Sequence, residues 1–171
     1  MCGLLGLGIA GALAAYASVH PGHGGALFTL GFGSVLAMKS WLSTVAGVLV
    51  IGQILTALGM WGKLPGRAFE SPRVAVVHRW SGTLAFLVTL PVAFQCVWSL
   101  GFSTADIRTI VHSVAGCLFY GVFAAKMLGL RLRGLPGWVL PLLGGLLAAL
   151  FITLWFTAAF WFFTSPGLSV F

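Results

Sequence analysis

The chain has 171 residues, of which 60% are hydrophobic and only 6% charged, with a net charge of +7. Soluble domains carry roughly 25% charged residues. Nine Lys and Arg with two Asp and Glu cannot keep so apolar a surface in water, which excludes a soluble enzyme and a solvated disordered chain alike.

A spanning helix needs about 20 mostly apolar residues, and five segments qualify. The first, Cys2 to Val19, is short but lacks the basic flank of a cleaved signal peptide, so it reads as a span. The breakers His20-Pro21-Gly22-His23-Gly24-Gly25 follow it. Next comes Ala26 to Met38, a largely apolar stretch of 13 residues. This piece is too short to cross alone, and it fits an interfacial segment, a re-entrant segment or an extension of the second helix. The second span is Trp41 to Gly62, closed by Lys63-Leu64-Pro65-Gly66-Arg67. The third, Val74 to Gly101, and the fourth, Thr109 to Leu130, are joined by a few residues around Asp106 and must form an antiparallel hairpin. Gly134-Leu135-Pro136-Gly137 then precedes the last span, Trp138 to Phe163.

The predicted fold is therefore an all-α integral membrane bundle of about five transmembrane helices. With neither an internal repeat nor a long linker, residues 1–171 read as one domain. Lys63, Arg67, Arg73, Arg79, Lys126, Arg131 and Arg133 fall on one side of this arrangement, and only Lys39 and Arg108 on the other. Seven against two places the amino terminus in the cytoplasm and the carboxyl terminus outside. Trp41, Trp98 and Trp161 near one boundary and Trp61, Trp80 and Trp138 near the other make an aromatic belt, with Trp155 deeper. Cations at the ends of apolar runs speak for topology and against a nucleic-acid partner.

Chemistry has few residues to draw on. Glu70 and Asp106 are the only carboxylates, too few for paired acid/base work. Cys2, Cys96 and Cys117 form neither a CxxC nor a zinc pattern and read as small packing residues. The intramembrane histidines stand out, because a polar side chain in a bilayer is costly to leave unsatisfied. His78 lies in His78-Arg79-Trp80-Ser81-Gly82 and His112 in His112-Ser113-Val114-Ala115-Gly116. Each has a glycine four residues on, hence on the same helix face. Gly82 and Gly116 would let a flat macrocycle lie beside the imidazole, and Arg79 and Arg108 would supply cations for its carboxylates. An axial imidazole on haem b iron suits such a stripe. The bland alternative is that both histidines bridge helices and both glycines serve close packing.

In a hairpin whose facing positions sum to roughly 207, His78 and His112 lie about 17 residues, or 25 Å, apart in depth. They cannot share one iron, so either one or two haems are held. Gln95 is level with His112. His20 and His23 in the connecting loop, and Met60 and Met127 near His78, are the candidate second ligands, beside a five-coordinate haem or a ligand from a partner subunit.

These residues also carry a resemblance. Val77-His78-Arg79-Trp80-Ser81-Gly82 and Val111-His112-Ser113-Val114-Ala115-Gly116-Cys117 resemble the histidine-bearing hairpin of the cytochrome b561-like transmembrane electron carriers. Residues 26–163 look closer still to a small bacterial membrane family of unassigned function with similar HRWSG and VHS-AGC segments. The resemblance implies that His78 and His112 are haem ligands. It departs in that the cytochromes use four histidines in four helices for two haems.

The leading expectation is a membrane-embedded cytochrome b subunit of the bacterial cytoplasmic (inner) membrane, an electron carrier more than a stand-alone enzyme. A quinol or a redox protein would be its partner, beside other membrane subunits or further copies of itself. Two rivals stand next to it. One is a scaffold subunit of a larger complex whose histidines merely join helices. The other is a pigment binder in which the same geometry serves a chlorophyll.

Overall fold

The computed structural model describes residues 2–20, 22, 24–66, 69 and 71–165. It contains five helices long and apolar enough to cross a membrane: α1 (Cys2–Val19), α2 (Val35–Met60), α3 (Arg73–Leu100), α4 (Ile107–Gly129) and α5 (Val139–Thr164). Among the described residues there is no strand. We call the end bearing Lys63, Lys126, Arg131 and Arg133 the lower end, and the end bearing the α1–α2 connection and the Asp106 turn the upper end.

Most helix limits agree with the hydropathy pattern to within one or two residues. The exception is α2, which starts at Val35 rather than Trp41 because Ser34 caps it, its hydroxyl accepting the Ala37 N–H at 3.0 Å. Val35 to Met38 thus extend the second helix, whereas residues 26–34 are an irregular connection that turns tightly at Leu30 and Gly31, both at positive φ. That connection lies against the top of α3. Phe28 stacks on Phe94 at 5.9 Å, the Gln95 amide donates to the Phe28 carbonyl at 2.8 Å, and the Gly24 N–H donates to the Ser99 carbonyl. At the other side of the upper end, Asp106 caps α4 in a reciprocal box with Thr109.

Lipid supplies no hydrophobic force between helices, so association depends on close packing and interhelical hydrogen bonds. The tightest pairs are α2 with α3, α1 with α4 and α4 with α5. Small residues make the α1–α4 seam: Gly6, Ala10, Gly121 and Ala125 are all buried there, and a Cβ added to Gly6 would stand 2.7 Å from the Gly121 carbonyl oxygen. A core of Ala46, Phe119 and Phe151 joins α2, α4 and α5. Large apolar side chains such as Leu4, Leu7 and Ile107 face outward, as lipid-facing residues do.

The α3–α4 hairpin forms, but its backbones stand apart. The two helices meet through long side chains: Phe86 stacks on Phe123 at 3.9 Å, and the Tyr120 hydroxyl reaches the Thr89 hydroxyl at 3.0 Å. These facing positions sum to 209 in both cases (86 + 123 and 89 + 120). Aromatic spacers of this size leave room beside them. Two helices also widen at the upper end, where α3 finishes in a π turn at Cys96–Leu100 and α5 contains one at Phe156–Phe160. Such turns interrupt the regular ladder and often mark functional places.

Candidate functional site

A cavity of about 1020 Å³ occupies the upper half of the bundle between α3 and α4, with walls from all five helices. Its size is at the top of the range for small-molecule sites. Aromatic and aliphatic side chains form most of the wall, among them Phe86, Phe119, Phe123 and Trp155. The polar groups gather toward the upper end: Lys39 from α2, Cys96 from α3, Arg108 and His112 from α4, and Thr157 from α5.

His112 sits at the centre of this group. Its Nδ1 is 2.9 Å from the Thr157 hydroxyl, which itself donates to the Thr153 carbonyl at 2.7 Å. With the hydroxyl proton so engaged, Thr157 accepts from Nδ1–H, an assignment made from the hydrogen-bond network. In that tautomer the lone pair of the ring is on Nε2. Fixing one ring nitrogen through an N–H donor is the arrangement found where the other nitrogen binds a metal. Gly116 also lines the cavity, and a Cβ there would meet only Leu154, at 3.8 Å. Clearance beside His112 is therefore present. Cys96, rather than the buried Gln95, lines the cavity with His112 and Lys39 and lies close enough to both for their side chains to interact. Gln95 is turned away, bonded to the Phe28 carbonyl and to the Ser99 hydroxyl.

Arg108 lines the same cavity, but its guanidinium is already engaged. It donates to the Thr157 carbonyl at 2.7 Å, lies 4.0 Å over the Trp161 ring and is 3.8 Å from the Asp106 carboxylate. The π turn in α5 presents that carbonyl, since carbonyls in such a turn are displaced from the α-helical ladder. Lys39 has no such set of partners. It is 6% exposed and sits just over one turn into α2. From the sequence, Lys39 is only a topology marker at the border of a span. The earlier start of α2, signalled by Ser34 after Gly31-Phe32-Gly33, is what carries it into the wall.

The lower histidine differs. Nδ1 of His78 is 2.8 Å from the Thr56 hydroxyl, which donates to the Gly52 carbonyl at 2.7 Å, so Thr56 accepts from His78 as Thr157 does from His112. Yet His78 is not among the residues lining the cavity. The room expected at Gly82 is filled: a Cβ there would stand 2.8 Å from the Gln53 side-chain oxygen. The Gln53 amide donates to the His78 carbonyl and to the Ser81 hydroxyl, tying α2 to α3. Gly82 thus admits a neighbouring side chain, not a macrocycle. Arg79 is exposed, and Met60 and Met127 are 42% and 44% exposed. In the upper connection, His20 stacks on Tyr16 at 4.1 Å and bonds its carbonyl through Nδ1, while His23 lies outside the described residues.

The family model of DUF6529, a family of unknown function, matches residues 1–170. The chain belongs to that family. No curated protein and no solved structure matches it.

The upper site differs from the lower one in what it brings together. It combines one oriented imidazole, a glycine clearance, aromatic walls and cations near the rim. Among the described residues no cluster of three His, Cys, Asp or Glu could hold a bare metal ion.

Proposed function

We propose that this protein is a cofactor-carrying electron-transfer subunit of a bacterial cytoplasmic membrane, with a single haem b in the upper cavity and His112 as its protein ligand. One observation carries the reading: of the two intramembrane histidines, only His112 lines a cavity of ligand size, and its ring is held there by the Nδ1 bond to Thr157. Bound haem supplies reversible one-electron chemistry.

The chain's residues supply position and surroundings. Thr157 fixes the plane of the imidazole, Gly116 keeps the space beside it clear, and the aromatic wall excludes water. Burial of this kind, with the axial ligand, sets a haem's potential. A quinol or a redox protein is the partner class that such a subunit serves. His78, bonded to Thr56 and hemmed in by Gln53, joins α2 to α3 in this reading.

Oxidised and dithionite-reduced spectra of the detergent-purified chain, with a pyridine haemochrome assay, test the proposal. A b-type spectrum at one haem per chain that disappears in His112→Ala is the expected result. A long-wavelength chlorin band would move the protein to pigment binding. A featureless spectrum after haem-supplemented expression would leave the scaffold reading, which the close α1–α4 seam favours.

A further inference from the structure

Lys39 is a buried ammonium group in an apolar bundle, and among the described residues no carboxylate stands on the cavity wall beside it. The chain has two acidic residues. Asp106 forms the one ion pair among the described residues, and it does so with Arg108. Glu70 lies outside the described residues. Among the described residues, the wall of the cavity around Lys39 has two cations, Lys39 and Arg108, and no carboxylate. Arg108 already has an anion, a carbonyl and an aromatic face. Lys39 has the Cys96 thiol.

A charge removed from water is costly unless it is paired. Inside a membrane, such groups face cavities and mark the path or seat of a ligand. The cavity has matching polarity, with Lys39 at its upper end and apolar walls running down to Phe123. We propose that Lys39 is the anion-binding residue of this cavity and that the occupant is an amphiphile with a carboxylate head. The head lies beside the Lys39 ammonium, and the apolar body extends toward the middle of the bundle. Arg108 stiffens the rim, and the anion-pairing role expected of it falls to Lys39. Two sources share this chemistry, the propionate of a porphyrin and the head of a free fatty acid. The first deepens the haem reading and rests on it; the second does not.

Metal-free protoporphyrin IX, its dimethyl ester and cis-parinaric acid separate the cases, because none of them requires an iron ligand. Binding is followed by fluorescence on the detergent-purified chain, with size-exclusion profiles confirming that each variant is folded. The expected result is that Lys39→Met weakens a carboxylate-bearing probe by about 30-fold or more, as for truncating one partner of a buried charge pair. Lys39→Arg should stay close to wild type, and the dimethyl ester should be indifferent to both changes. His112→Ala should retain the metal-free acid while losing haem. Lys39-dependent binding of parinaric acid, with neither metal-free porphyrin nor haem bound by the wild type, would sustain the anion site and sink the haem reading. Acid binding that is unchanged in Lys39→Met, or no binding of either acid by wild type, would overturn the proposal. A haem-loaded wild type combined with equal affinities for porphyrin acid and ester would also overturn it, while leaving the haem reading in place.

Discussion

Gly6 and Gly121 face each other across the α1–α4 seam so closely that a methyl group on either would collide with the other's backbone carbonyl. No side-chain rotation relieves a clash with backbone. Gly121→Val should therefore destabilise the protein by about 3 kcal/mol or more, at the upper end of overpacking effects. Gly145, which has nothing within 4 Å of its missing Cβ, is the control, and Gly145→Ala should be near neutral. Thermal unfolding in detergent followed by fluorescence-detected size exclusion reads both. Equal behaviour of the two variants would show that α1 does not pack on α4 as described.

The two histidines should respond differently to truncation. His78→Ala removes a hydrogen bond to Thr56 and should cost roughly 0.6–1.7 kcal/mol, the range of such bonds between membrane helices. It should leave the haem content per chain unchanged, whereas His112→Ala should abolish it. Parallel loss of haem in both variants, with folding intact, would require a ligand role for His78 as well.

The α3–α4 spacing depends on Tyr120, whose hydroxyl donates to the Thr89 carbonyl at 3.1 Å and meets its hydroxyl at 3.0 Å. Tyr120→Phe keeps the ring and loses those bonds, so the expected loss is about 0.6 kcal/mol and at most roughly 1.7. Tyr120→Ala removes the spacer itself and should cost about 3–5 kcal/mol, as for large-to-small core changes. Chemical denaturation in mixed micelles distinguishes the two.

Asp106 gives the upper turn a pH dependence. The Thr109 backbone N–H bonded to its carboxylate at 2.7 Å holds the carboxyl below its ordinary value, with the Arg108 guanidinium adding to the effect. A carboxyl depressed in the folded state stabilises the fold fully above its unfolded pKa and loses that contribution as pH falls through the folded one. The α4 cap should therefore weaken only on strong acidification. Asp106→Asn, an equally good cap without a charge, should remove that acid-side dependence. Hydrogen exchange at Thr109 and Ile110 across acidic pH measures it, and a slope identical in wild type and Asp106→Asn would exclude the cap as its source.

Much of this architecture is legible in the sequence because lipid imposes simple rules: length and apolarity mark spans, and Gly and Pro mark their ends. The α3–α4 register follows from the short loop around Asp106. What the sequence conceals depends on which neighbour fills a gap. His78 and His112 carry the same HxxxG pattern, yet Gln53 occupies the space at Gly82 while the space at Gly116 stays open. Lys39 escapes notice because a lone lysine near the end of an apolar run is read as topology. Its meaning changes once Ser34 moves the start of α2 from Trp41 to Val35. Cys96, apparently a packing residue, is brought to His112 by the hairpin's register.

The π turn at Phe156–Phe160 has a consequence for anyone comparing related chains. A turn closed from i to i+5 holds one residue more than an α turn, and one residue corresponds to about 100° of helix rotation. A helical wheel drawn through α5 is thus out of phase beyond Phe160, and Trp161 meets Arg108 from a bearing that the wheel assigns to another face. A relative that is one residue shorter here would have a regular helix with its terminal aromatics swung aside. A gap of one in that position would separate chains that keep the Arg108–Trp161 latch from chains that have lost it.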